Sequence, residues 1–125
     1  MVAFTDQALQ TGCVFVVDDD DAVRDSLCLL LDANGIRCRG FSSGEALLDA
    51  VETSPPSCII LDLHMPGISG FTLLQRFAGT ANAPPIIVLS GALDRDTRMR
   101  AGEFGAVALL EKPVSAAALF SAIRR

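Results

Sequence analysis

The chain has no tryptophan, no tyrosine and a single histidine, His64; its seven phenylalanines are too few for a platform on which nucleic-acid bases stack. No apolar run approaches the about 18 residues that a membrane-spanning helix requires. Met1 to Gly12 lacks the basic segment, apolar stretch and cleavage site of a secretory signal, and reads as a short polar tail. A Gly-x-x-x-x-Gly-Lys loop is missing, which removes the nucleotide-hydrolase reading. Positive charge is scarce: 10 Lys and Arg face 15 Asp and Glu, a formal net charge of −5. This segment is therefore not expected to hold nucleic acid or an anionic membrane by charge. Cys13, Cys28, Cys38 and Cys58 lack the close pairing of a zinc site and read as reduced, buried thiols of a cytoplasmic protein.

What is present fits one domain. Half of the 125 residues are hydrophobic, enough for a single core. Cys13 to Val17 is a continuous apolar run, as in a strand buried on both faces, and it stops at Asp18-Asp19-Asp20-Asp21. Val23, Leu27, Leu30 and Leu31 then recur at helical spacing up to Asn34-Gly35, with Asp21 as the expected N-cap. Ile36 to Phe41 alternates like a half-buried strand near a sheet edge. Ser42 or Ser43 caps a second helix striped by Ala46, Leu47, Leu48 and Val51.

Pro55-Pro56 ends that helix and introduces a third strand, Cys58 to Leu63, followed by the Pro66-Gly67 turn and a helix through Phe71, Leu74 and Phe77. Ile86 to Leu89 is a fourth buried strand, closed by Ser90-Gly91. A charged helix is expected over about 94–104, with Arg95, Arg98 and Arg100 as a solvated face opposite Met99 and Phe104. Val107 to Leu110 makes a fifth strand ending at Glu111-Lys112-Pro113, and Ala116, Leu119, Phe120 and Ile123 pattern the last helix. Strands alternating with helices predict an α/β fold whose parallel sheet is covered on both faces.

In a parallel sheet all carboxyl ends lie on one edge, where ligands are handled. That edge receives Asp18 and Asp19, Asp62, Ser90 and Lys112. Converging carboxylates repel one another and titrate high unless a cation sits among them, and hard oxygen donors suit Mg²⁺. An ammonium and a hydroxyl complement the oxygens of a phosphoryl group, and an aspartate between them can form an acyl phosphate.

These residues resemble a known family. Val17-Asp18-Asp19-Asp20, the run from Asp62 through Leu63-His64-Met65-Pro66-Gly67-Ile68-Ser69 to Gly70, Ser90-Gly91 and Glu111-Lys112-Pro113 together are similar to the receiver domain of two-component response regulators. The stretch Val16 to Leu27 is closest in wording to the FixJ-like branch. The resemblance covers residues 13–125 and implies a flavodoxin-like (CheY-like) fold with five helices and sheet order 2-1-3-4-5. It implies Asp62 as phosphoacceptor from a sensor histidine kinase. Mg²⁺ would be held by Asp19, Asp62, the backbone carbonyl of His64 and, through a water, Asp18. Ser90 and Lys112 would bind phosphoryl oxygens, and Pro113 would follow a cis peptide bond. Such a domain is a signalling switch that catalyses its own phosphorylation and slow hydrolysis, and dimerises or meets effectors through its fourth helix, fifth strand and fifth helix.

One position departs from the family: three residues before the lysine, where Tyr or Phe is usual, stands Leu109. The expectation is that Leu109 and residues 91–94 still repack on phosphorylation. The last helical pattern runs into Arg124-Arg125 without a stop signal, which suggests an output domain beyond it, a DNA-binding one being one form and a single-domain regulator the alternative.

Simpler readings stand beside these. Asp20 and Asp21 read as a solvated turn and cap, Ser90 could cap a turn, and His64 is expected to project to solvent. Met65, Met99 and the phenylalanines read as packing. A haloacid-dehalogenase-like phosphatase is the enzyme alternative: Asp18-x-Asp20 and Ile87 to Ser90 resemble two of its motifs, with Asp18 as nucleophile. A flavodoxin-like cofactor binder would need backbone donors where four aspartates stand.

Overall fold

A computed structural model describes residues 12–124; the tail expected over residues 1–12 lies, Gly12 apart, outside the described residues. Ten elements alternate: β1 Cys13–Val17, α1 Asp21–Ala33, β2 Arg37–Phe41, α2 Gly44–Thr53, β3 Cys58–Asp62, α3 Gly70–Ala78, β4 Ile86–Ser90, α4 Arg95–Glu103, β5 Ala108–Glu111 and α5 Ala116–Ile123. All sheet pairings are parallel and the order is β2-β1-β3-β4-β5, as expected. No helix among the described residues is long and apolar enough to cross a membrane.

The three inner strands are apolar on both sides because helices cover both faces. Val14, Val16, Ile60, Ile87 and Leu89 point to a core shared with Leu27 and Leu31 of α1 and Leu119 and Ile123 of α5. The alternate residues Phe15, Val17, Ile59, Leu61 and Val88 face Leu47, Leu73, Phe77 and Ala101 of α2, α3 and α4. Edge strand β2 is largely exposed. There Arg39 lies over the rings of Phe15 and Phe41, its guanidinium 5.6 and 5.2 Å from their centroids.

Several expectations are corrected. Asp20, not Asp21, caps α1: its Oδ1 accepts from the N–H groups of Ala22 and Val23. Ser43 is the cap of α2. Val107 precedes β5 and is exposed, and Met99, expected in the core, is 56% exposed. Helix α4 buries only Thr97 and Ala101, so its register leaves Met99 facing out. Its arginines are exposed, as expected, and two of them also make contacts: Arg98 Nε donates to the Leu93 carbonyl at 3.1 Å, and Arg100 stacks 4.0 Å from the Phe71 ring centroid.

The cysteines differ most. Cys28 and Cys38 are disulfide-bonded, with Cα atoms 5.4 Å apart, inside the reach of such a bond. The crossover from α1 into β2 brings them together, which their ten-residue separation does not reveal. Cys13 and Cys58 are free, and only Cys58 is fully buried; burial pushes its thiol up to about 12.

One glycine fixes how α3 meets the sheet. A Cβ on Gly70 would lie 2.3 Å from the Asp62 carbonyl oxygen and 2.5 Å from Leu63 Cα. These are backbone atoms of the segment that carries Asp62, and they cannot rotate away. Gly70→Ala is therefore expected to destabilise the fold by about 2 kcal/mol or more, the upper part of the overpacking range, read as a lower urea midpoint with an unchanged slope. A midpoint equal to the parent's would contradict this close approach.

Candidate functional site

Register delivers the acids side by side. Val17 is opposite Leu61 in the β1–β3 ladder, so Asp18 emerges beside Asp62 on the carboxyl edge. Asp62 is opposite Leu89, and Ser90 is opposite Glu111, which puts Ser90 at the last position of β4 and Lys112 just past the end of β5. Asp18 and Ser90 are fully buried and Asp62 is 2% exposed, whereas Asp19 is exposed and Lys112 half-buried.

The carboxylates of Asp18, Asp19 and Asp62 offer oxygens within 4.8 Å of one another. Lys112 Nζ reaches two of the three acids, 2.8 Å from Asp18 Oδ2 and 3.3 Å from Asp62 Oδ2. The remaining oxygens of the two buried acids are taken by the main chain: Asp20 N–H donates to Asp18 Oδ1 at 3.0 Å and His64 N–H to Asp62 Oδ1 at 3.1 Å. Asp18 Oδ2 is buried and, for all its closeness to Lys112, has no well-directed hydrogen bond. An acceptor left short in this way, beside two further hard oxygen donors, fits a divalent cation such as Mg²⁺.

Titration follows from this crowding. Burial raises Asp62 above its ordinary value, the His64 N–H works against that, the Asp18 charge adds to it and Lys112 offsets part. Burial alone would lower Lys112, but its close contact with Asp18 and the charges of Asp62 and Asp18 outweigh burial and raise it.

The other expected residues are placed as follows. Ser90 Oγ is engaged in its own loop, donating to the Ala92 carbonyl at 3.0 Å and accepting from Ala92 N–H at 3.2 Å. Its turn-capping reading thus describes this conformation, and reaching a phosphoryl oxygen would require it to leave Ala92. His64 projects to solvent. The Lys112–Pro113 peptide is cis, as expected. Leu109, half-buried, packs into the core beneath α3 and α4 and lies opposite Val88. Asp20 is committed to the α1 cap, which removes the second acid of the phosphatase motif.

Sequence reasoning missed three groups around the site. Arg24 Nη1 donates to the Asp18 carbonyl at 2.8 Å. Glu111 Oε2 accepts from Leu93 N–H at 3.5 Å, and Arg98 holds the carbonyl of the same residue. Arg24 had one readable signal, its place three residues after Asp21, with which it pairs.

A family model described as the response regulator receiver domain matches residues 14–124. The transcriptional regulatory protein FixJ of Azorhizobium caulinodans is 40% identical over 111 residues, covering 89% of this chain and 53% of that protein. The DNA-binding transcriptional regulator NtrC of Klebsiella pneumoniae is 34% identical over 105 residues, 84% of this chain and 22% of its own. Full-length FixJ from B. japonicum superposes with a TM-score of 0.82 at 37% identity, covering 91% of this chain and 56% of that structure. The chain thus spans about half the length of FixJ.

A raised aspartate has a signed consequence. Between the ordinary aspartate value, about 3.9, and the higher native value, the unfolded chain loses its proton first. The contribution of Asp62 to stability therefore falls as pH rises through that window. Asp62→Asn removes this fall, and without metal at pH 7 it is expected to stabilise the fold by about 0.5–2 kcal/mol. Urea midpoints of parent and variant should converge at low pH and separate as pH rises; a constant difference would contradict the assignment. Added Mg²⁺ should stabilise the parent and leave Asp62→Asn nearly unchanged.

Proposed function

The chain belongs to the response regulator receiver domain family, and on that premise we propose that Asp62 takes one phosphoryl group from a sensor histidine kinase. The observation that carries this is the Lys112 ammonium shared by two buried carboxylates, Asp18 and Asp62. In the proposed step an Asp62 carboxylate oxygen attacks phosphorus while the phosphorus–nitrogen bond of the kinase phosphohistidine breaks. The electron pair and a proton stay with the departing imidazole, and an acyl phosphate remains on Asp62.

Asp19, Asp62 and the His64 carbonyl would hold Mg²⁺ directly and Asp18 through a water; the cation supplies charge neutralisation at the phosphoryl oxygens. Lys112 shifts its ion pairing from the carboxylates to a phosphoryl oxygen. Ser90 releases Ala92 and donates to another. Water attacking the same phosphorus reverses the state slowly, so the domain is a switch that catalyses its own loading and unloading and is not a metabolic enzyme.

Relay then begins at residues 91–94. Leu109, smaller than the family's usual aromatic ring, takes up the space that the moving loop vacates. The face of α4, β5 and α5, which presents the exposed Arg95, Met99 and Val107, is the proposed dimer or effector surface of the phosphorylated form. The relatives' names as transcription regulators, and their greater length, support control of a DNA-binding output domain.

Intact-mass measurement with a small acyl phosphate and Mg²⁺ should show one added phosphoryl group, none on Asp62→Asn, and a rate lowered about 10²-fold or more in Lys112→Ala. Label on Asp18, or equal addition to Asp62→Asn, would overturn the reading. With a phosphoryl mimic and Mg²⁺, the amide resonances of Leu109 and residues 91–94 should shift; unchanged positions there would refute the relay.

A further inference from the structure

We infer that Arg24 of α1 is the positioning residue for the acidic edge: it fixes the peptide plane that aims both Asp18 and Asp19. The inference rests on the reading of that edge as a Mg²⁺ site.

Asp18 is hydrogen-bonded at its N–H, its carbonyl and Oδ1. Its N–H donates to the Phe41 carbonyl at 3.1 Å, its Oδ1 accepts from Asp20 N–H, and its Oδ2 lies against Lys112. Its carbonyl accepts from Arg24 Nη1 at 2.8 Å. That carbonyl belongs to the peptide unit joining Asp18 to Asp19. Because a peptide unit is planar, holding its oxygen sets the rotation that leaves Asp18 and the rotation that enters Asp19. Asp19 is exposed, and no hydrogen bond or ion pair anchors its side chain among the described residues. Its direction toward the other two carboxylates is therefore inherited from the plane that Arg24 holds.

Arg24 is itself prepared for this. Its side chain is 17% exposed, and its stem lies against β2, where a Cβ on Gly40 would be in ordinary contact with Arg24 Cδ at 3.4 Å. Branches beyond such a Cβ would enter the lane that the stem occupies. Nη2 pairs with Asp21, whose side chain is 83% exposed; a pair that open contributes little energy, but it balances the guanidinium charge close to a cation site. A planar fork with several fixed donors can serve the carbonyl and the carboxylate together, which an ammonium cannot do with the same geometry.

Groups that orient metal-binding residues typically change metal affinity by 10–100-fold when removed. The test is calorimetric titration of the whole chain with Mg²⁺ alone, alongside thermal melting and the amide spectrum. Arg24→Met keeps the apolar stem and removes the donors. It should weaken Mg²⁺ about tenfold or more and shift the Asp18 and Asp19 amides, with the melting temperature close to the parent's. Arg24→Lys, whose ammonium can still donate to the Asp18 carbonyl though not in the same fork, should recover part of the affinity. Asp21→Asn should stay within about twofold of the parent, since it removes charge balance and leaves the carbonyl held.

Gly40→Val provides a second route that leaves Arg24 intact. A β-branched residue suits the strand but occupies the lane, so Mg²⁺ should weaken here too. Parental affinity in both Arg24→Met and Gly40→Val, or equal weakening by Asp21→Asn, overturns the inference. Failure of the parent to bind Mg²⁺, or binding to Asp62→Asn as tight as to the parent, overturns the underlying metal reading instead.

Discussion

The contact of Lys112 with Asp18 and Asp62 is the constraint on which the rest of the edge depends. Two carboxylates that are almost wholly buried would be strongly unfavourable as isolated ions, and burial of this kind is tolerated only with partners for the charge. The structure supplies one ammonium, placed between them, and one backbone N–H for each. Counted formally, three carboxylates and one ammonium leave two negative charges, matched by one divalent cation. The site is therefore stable enough to fold and short of positive charge, a state suited to capturing Mg²⁺ and then a phosphoryl group.

The fold serves this edge through adjacency. Parallel pairing brings Asp18 beside Asp62 because Val17 is opposite Leu61, and neighbouring strands lie about 4.8 Å apart. Behind them, the segment after Asp62 turns into α3, where the absent side chain of Gly70 lets the helix start against the Asp62 carbonyl. Ahead of them, Arg24 reaches back from α1 to the carbonyl of Asp18. The two acids are thus set by the chain on both sides, one through a helix that approaches the backbone and one through a side chain that holds it.

Much of this was legible from residue order, for physical reasons. Strands buried on both faces produce uninterrupted apolar runs, and Cys13 to Val17, Cys58 to Leu61 and Ile86 to Leu89 are of that kind. The groups at their ends were readable because a parallel sheet sends every carboxyl end to one side. What was not readable depended on register or on helix rotation. Cys28 meets Cys38 only because the crossover returns α1 over the edge strand, and Met99 points outward only because α4 buries Thr97 and Ala101 instead. Arg24, Arg98 and Glu111 act on main-chain groups, and no spacing rule marks which carbonyl or N–H a long side chain will find.

The same contacts bear on how a leucine can stand where an aromatic residue is usual. Both main-chain groups of Leu93 are engaged from outside the loop, its N–H by Glu111 at the end of β5 and its carbonyl by Arg98 of α4. Ala92 is engaged on both sides by Ser90 Oγ. Each such bond contributes about 0.5–1.5 kcal/mol net, somewhat more where a charge takes part, so the loop is held by a few kcal/mol in all. A phosphoryl group that draws Ser90 toward itself removes the Ala92 bonds and offers charge-assisted ones in return. That exchange is of the size needed to move a two-state equilibrium across its midpoint. Glu111 adjoins Lys112 and Arg98 lies in α4, so displacement of Leu93 bears on β5 and α4 together. In the proposed relay coupling would run through the main chain of the loop, and the side chain at position 109 would need only to fill the space left behind.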